Sequence, residues 1–220
     1  MWRSWTIAMF ELIWTATWQS LYMVAISTVL SYAFGLPLGI ILVTTSKGHI
    51  MEARRFNAVL AAIINAGRSI PFIILMVAII PFTRFLVGRS IGTTASIVPL
   101  TVAAIPFVAR LVEQSLREVD WGVIEAALAM GASPWQIITK VLLPESMSSL
   151  ILGAAITTIT LISYSAMAGV LGGGGLGDLA VRYGFYRYQE DVMLITVALL
   201  IILVQVVQSI GDRLAARLRR

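Results

Sequence analysis

Long apolar runs, separated by short polar stretches, dominate the pattern of the chain. An α-helix needs about 20 mostly apolar residues to cross a bilayer. Five runs meet that requirement: roughly Leu21 to Val43, Phe56 to Ile80, Ala95 to Val112, Leu150 to Leu171 and Val192 to Ile210. The runs are continuous and lack the alternation of a membrane β-barrel. They predict an all-α membrane protein with five transmembrane helices in one domain, residues 21–212. The first twenty residues are mixed. Trp14, Trp18 and Tyr22 fall four apart, on one helical face, and such aromatics favour the headgroup layer. Residues 1–20 are therefore expected to form an interfacial segment leading into the first span. A cleaved signal peptide fits less well, because Glu11, Trp14 and Trp18 interrupt its short apolar core.

Composition agrees with lipid as the solvent. Of the 220 residues, 59% are hydrophobic and 12% charged, against about 25% charged in a soluble domain. The absence of cysteine excludes disulfides, thiolate metal sites and cysteine nucleophiles. The one histidine, His49, lies in a polar stretch near basic residues and is expected to be solvated, since zinc takes four ligands. No Asp pair or Ser–His arrangement offers catalysis a start. The chain is expected to be non-catalytic, without metal or cofactor of its own.

The net charge of +5 changes the picture only through its placement. Lys47, Arg54, Arg55, Arg110, Arg117, Lys140, Arg213, Arg217, Arg219 and Arg220 fall on one side of the predicted spans. Arg3, Arg84, Arg89, Arg182 and Arg187 fall on the other. The larger set includes the basic tail, residues 213–220. Positive charge marks the cytoplasmic side, so the C-terminus is expected in the cytoplasm and, with five spans, the N-terminus outside. Basic residues at span ends are an orientation signal, and nucleic acid is not expected as a partner.

One connection is long. Residues 113–147 join the third and fourth runs, and long connections tend to be functional. Asp120 is placed to cap a helix over residues 121–130, with Ile124, Ala127 and Leu128 as its apolar stripe. Gly131 fits the left-handed position that ends such a helix. Ser133 and Pro134 start a second helix, which Pro144 ends or bends into the fourth span. The residues alone leave two readings open: an amphipathic helix on the inner leaflet, or a short helix that enters a groove on a cytoplasmic partner.

The stretch EAALAMGASPWQIITKVLLP, residues 125–144, resembles the EAA loop of ABC importer permeases. Glu125, Ala126, Ala127, Gly131, Leu143 and Pro144 match that pattern, with Val141 in place of an isoleucine. The stretches at 68–84, 96–113 and 157–183 are similar to permeases of bacterial methionine importers. The resemblance implies a type I ABC importer permease fold in the cell inner membrane. It also implies that Glu125, Ala126, Ala127, Gly131 and Pro144 couple to an ATPase. The implied partners are a second permease copy, two cytoplasmic ATPase subunits that use ATP and Mg, and a periplasmic or lipid-anchored binding protein. The implied cargo is methionine, L- and D-. Another small amino acid is the alternative. A secondary transporter is a further one, although five spans cannot form an even inverted repeat.

Few residues inside the predicted spans carry chemistry. Arg68 lies near the middle of the second run, where a charge costs about 2.5–3.5 kcal/mol even on the lenient insertion scale. It either bonds a carbonyl freed by Pro71 or lines the pathway. Pro99 and Pro106 should bend the third span. Thr157, Thr160, Tyr164 and Met167 share one face of the fourth span, with Ser163 and Ser165 beside it. Helix packing explains such a face, and so does a pathway lining, for which Thr160, Ser163, Tyr164 and Met167 are the candidates, Met167 as a gate. The glycine-rich LGGGGLGDLAVRYGF, residues 171–185, has no GK[ST] and is expected to form turns rather than bind nucleotide. Its Arg182 and Arg187 are candidates to meet acidic groups on the binding protein.

Overall fold

The computed structural model describes the backbone of residues 2–218 and the side chains of residues 9–218. The side chain of Arg3 and all of Arg219 and Arg220, counted in the charge balance above, lie outside the described residues.

The helix that holds the first predicted span begins well before it. Helix α1 runs from Trp2 to Thr44 without a break, through the boundary expected at residue 20. At about 1.5 Å per residue it is about 65 Å long, roughly twice a bilayer core. Trp14, Trp18 and Tyr22 are all exposed along it, as their spacing predicts. The buried face of α1 is a stripe of small residues every fourth position: Ser27, Ser31, Gly35 and Gly39. It packs on α5 (Thr93–Arg117) so closely that a Cβ on Gly35 would lie 2.7 Å from Val108 Cβ, and one on Gly39 2.5 Å from Val112 Cβ. Ser31 Oγ donates to Thr101 O across the same seam, at 3.4 Å. Small residues let backbones approach and gain dispersion contact, the main glue between helices in lipid.

The second run is not one straight span. It forms α2 (Arg54–Ser69) and α3 (Phe72–Ala78), which meet at an angle of 99°. The break sits at Pro71. Proline lacks the N–H that would continue the helix and forces its predecessor to extend, and Ile70 does so, at φ −83° and ψ 121°. A short α4 (Ile80–Val87) follows, and Gly88 in the left-handed region ends it. Helix α5 continues through both Pro99 and Pro106.

Beyond α5 come the loop helices α6 (Trp121–Ala129) and α7 (Pro134–Ile137), a widened π turn (Ile138–Leu142) and α8 (Leu143–Glu145). Helix α9 (Met147–Ala168) then runs back along the bundle. A second π turn (Gly169–Gly173), α10 (Gly175–Leu179) and a third π turn (Ala180–Phe185) lead to α11 (Glu190–Leu218). Among the described residues four helices, α1, α9 with its π turn, α5 and α11, are long and apolar enough to cross a membrane, and the bent α2–α3 pair is a fifth candidate.

Helix α1 spans the whole bundle and marks its two ends. At one end, Val43 joins Val112, Leu116, Ile124, Ile137 and Leu142 in a core that roots the loop helices. At the other, Ala16 packs with Leu176, Leu179 and Val192 beneath α10. Between them, Met23, Leu100, Leu161 and Ala168 hold α1, α5 and α9 together, with Phe72 and Met76 of α3.

Candidate functional site

The loop at 113–147 forms the caps that its residues predict. Asp120 Oδ1 accepts from Gly122 N at 2.7 Å and starts α6. Gly131 has φ 78°, its N–H donates to Leu128 O at 2.9 Å, and Ala132 N donates to Ala127 O at 3.1 Å. These two bonds form the Schellman closure of a helix end. Ser133 and Gln136 form a reciprocal capping box, with Pro134 at the first helical position. Pro144 bends the chain rather than stopping it. Its ring would meet the carbonyl of residue 140 in a regular helix, and the π turn Ile138–Leu142 lies just before it.

Burial divides the five expected coupling residues. Ile124 and Ala127 face inward and are buried. Glu125, Ala126, Gly131 and Pro144 are exposed, as are Ala129 and Met130. Ala127 therefore anchors α6 to the core and is not a contact on its outer face. Leu128, expected in the inward stripe, is 42% exposed. Pro144 stands at the root of α9, away from α6. The outer face of α6 is thus Glu125, Ala126, Ala129 and Met130, one carboxylate among small and flexible apolar groups.

His49 departs from expectation. It is half-buried, with its ring edge-on to Trp121 of α6 at 5.5 Å. Its Nδ1 is buried and has no hydrogen-bond partner among the described residues. Burial first, and then the nearby charge of Arg117, hold its pKa below the ordinary 6.5. The turn between α1 and α2 is packed directly on the loop helix.

The expected pathway residues share a face of α9 but do not line one common space. Thr157 is fully buried and donates to Gly153 O of its own helix at 2.8 Å. Thr160 donates to Ile156 O at 2.9 Å. Tyr164 stacks on Phe72 of α3, with centroids 4.6 Å apart and planes 4° from parallel. Ser163 and Met167 line a cavity of about 610 Å³ with Val170, Val181, Leu200 and Gln205, between α9 and α11. Arg68 is elsewhere. It is exposed at the end of α2 and lines a separate cavity with residues of α5. No hydrogen bond or ion pair joins it to a carbonyl or carboxylate among the described residues. The carbonyl contact near Pro71 is not formed; Arg110 instead reaches α2, donating to Ala61 O at 3.1 Å.

The glycine-rich segment forms turns. Gly172, Gly174 and Gly175 have φ between 76° and 85°. A Cβ on Gly177 would lie 2.1 Å from Ala166 O, so α10 folds back against the backbone of α9. Two residues that sequence reasoning missed hold it there. Gly175 N donates to Gln19 Oε1 and Leu176 N to Ser20 Oγ, both at 2.9 Å. These bonds join positions 156 residues apart, and no local pattern announces them. Arg182 is already paired with Asp178 at 2.9 Å, and Arg187 lies 4.4 Å over the Tyr183 ring.

The family model described as binding-protein-dependent transport system inner membrane component matches residues 35–220. A Vibrio cholerae protein named a probable D-methionine transport system permease is 58% identical over 207 residues, covering 94% of this chain and 92% of that protein. A Bacillus subtilis methionine import system permease is 46% identical over 200 residues, covering 91% and 90%. Among solved structures, a chain of an inward-facing methionine ABC transporter is 47% identical. It matches with a TM-score of 0.96 over 97% of this chain and 99% of that one. An amino-acid ABC transporter at 18% identity and TM-score 0.78 shares the fold.

Proposed function

Because the chain belongs to the family of binding-protein-dependent transport system inner membrane components, we propose that it is the permease subunit of an ATP-driven methionine importer. In this reading it crosses the cytoplasmic membrane five times, the α2–α3 pair counting once. The N-terminus is outside and the basic tail, residues 213–220, inside. Two copies form the pathway, two ATPase subunits bind below, and an external binding protein delivers cargo near α10. ATP and Mg belong to the ATPase, and this chain does no chemistry of its own.

One observation carries the coupling role. Helix α6 is rooted in the core by Ile124 and Ala127 while Glu125, Ala126, Ala129 and Met130 face outward. Such a helix transmits force, because its inner face is packed in one core with α5, α7 and the start of α9 through Leu116, Ile137 and Leu150. Small side chains on the outer face allow close approach to a groove. Glu125, Ala126 and Gly131 are the coupling residues of this reading, with Ala127 as the anchor and Pro144 as the bend that passes motion to α9.

Within the membrane, Met167 and Ser163 line the candidate gate, and Thr160 and Tyr164 lie on the same helix outside the lining of this cavity. The cavity there has mainly apolar walls, and a thioether adapts to irregular space. Met167→Asp should abolish uptake while leaving assembly with the ATPase intact; unchanged uptake removes Met167 from the gate. The whole reading is tested by uptake of labelled L- and D-methionine into vesicles holding the reconstituted complex. Uptake driven by an ion gradient in the absence of ATP refutes it.

A further inference from the structure

Three arginines and one carboxylate line a single cavity where α2 meets α5. Glu113 is buried, and both Arg110 and Arg117 bridge it, Arg117 Nη2 at 2.9 Å. Arg110 also donates to Asn65 Oδ1 of α2 at 2.8 Å. Two guanidiniums thus share a single negative charge. The third, Arg68, lines the same cavity of about 320 Å³ with no carboxylate partner among the described residues. Holding α2 to α5 explains Arg110, but it leaves Arg68 without a role.

The rest of the lining is selective. Phe107 and Leu111, one turn apart on α5, supply an apolar wall, and Gln114 adds an amide at the next turn. Surplus positive charge asks for an anion, and it acts more strongly in a partly enclosed site than in water. The amide oxygen of Gln114 can accept from an ammonium. An aromatic ring beside an aliphatic side chain suits a thioether. Anion, ammonium and apolar side chain together describe a free α-amino acid, and the volume falls in the usual range for small-ligand pockets. A lipid phosphate would satisfy the arginines and leave the Gln114 acceptor without purpose.

We infer that this cavity is an exit subsite for the cargo amino acid, with its α-carboxylate on Arg68, its ammonium toward Gln114 and its side chain against Phe107 and Leu111. The inference rests on the importer reading above. It places the subsite on the cytoplasmic half of α5, beyond the Met167 cavity, so that cargo passes the gate before meeting Arg68. One unshared guanidinium gives a contact strong enough to receive the substrate and weak enough to release it.

The test uses the permease–ATPase complex without nucleotide, in phosphatidylcholine vesicles, with labelled L-methionine as the probe. Methioninol, which lacks the carboxylate, is the competitor. The wild type should bind methionine and ignore methioninol. Arg68→Gln should weaken methionine binding about tenfold or more, as expected for loss of a hydrogen bond to a charged group. Arg68→Lys should recover part of it. Unchanged binding in Arg68→Gln, effective competition by methioninol, or no wild-type binding at millimolar methionine while uptake proceeds would each overturn the inference. So would an Arg68→Gln defect that shows only in vesicles containing phosphatidylglycerol, which would assign the site to a lipid phosphate. A wild-type complex that imports no methionine with ATP and its binding protein overturns the importer reading instead.

Discussion

Gly131 is the point where a single methyl group should separate backbone strain from every other effect. Its φ is 78°, and an added Cβ would meet nothing within 4 Å. Gly131→Ala therefore creates no collision. Its cost is that of holding an L-residue in the left-handed region, about 1–2 kcal/mol. That is roughly a 5–30-fold rise in the population of loops whose α6 end has opened, since about 1.4 kcal/mol is a factor of ten. The bonds at stake are Gly131 N to Leu128 O and Ala132 N to Ala127 O. Hydrogen exchange at these two amides, in the assembled complex, reads the opening directly. Because α6 carries the proposed ATPase contact, ATP-driven uptake should fall as the opening rises. Asparagine tolerates the left-handed region better than alanine, so Gly131→Asn should lie between the wild type and Gly131→Ala in both measurements. Wild-type exchange in the alanine variant, or an asparagine variant worse than alanine, would refute the reasoning.

Two further predictions rest on the same geometry. A Cβ on Gly211 of α11 would lie 2.5 Å from Ala155 Cβ of α9, with the Ala155 Cα at an ordinary 3.9 Å. Gly211→Ala should therefore destabilise the complex in thermal unfolding through overpacking of about 1–3 kcal/mol, partly offset by about 1 kcal/mol of helix propensity. Adding Ala155→Gly moves the methyl from one helix to the other and should restore most of the stability; a double variant as unstable as the two singles summed sinks the contact. His49 gives a pH dependence. In the unfolded chain its imidazole takes a proton near 6.5, while in the fold burial and Arg117 delay this to lower pH. The stability from this site is intact above 6.5, declines as pH falls toward the depressed value, and is flat below it. Retention of the ATPase on the purified permease, followed from pH 7.5 to 5, should weaken in that window, and His49→Phe should flatten the profile.

How far the sequence reached depended on the range of each interaction. The loop helices were legible because their determinants are local. Asp120, Gly131, Ser133 and Pro134 act within one turn of themselves, so spacing alone predicted both caps and the break between them. Pro71 was visible too, yet its consequence was underestimated. A proline fixes where a helix yields, while the 99° turn that follows depends on what α3 then packs against. The stripe Ser27, Ser31, Gly35 and Gly39 was a readable signal for close helix packing that the hydropathy pattern concealed.

Residue order alone settled the apolar character of the runs, the loop helices with their caps, and the resemblance to importer permeases. Each of these follows from composition or from neighbours within a few residues. The tertiary structure decided which side of a helix faces what. It left Leu128 exposed, set Tyr164 on Phe72, put Arg68 in one cavity with Glu113, and capped α10 with Gln19 and Ser20. The period of a helix assigns residues to faces, and only the packing of helices far apart in the chain decides whether a face meets a core, a cavity or a partner.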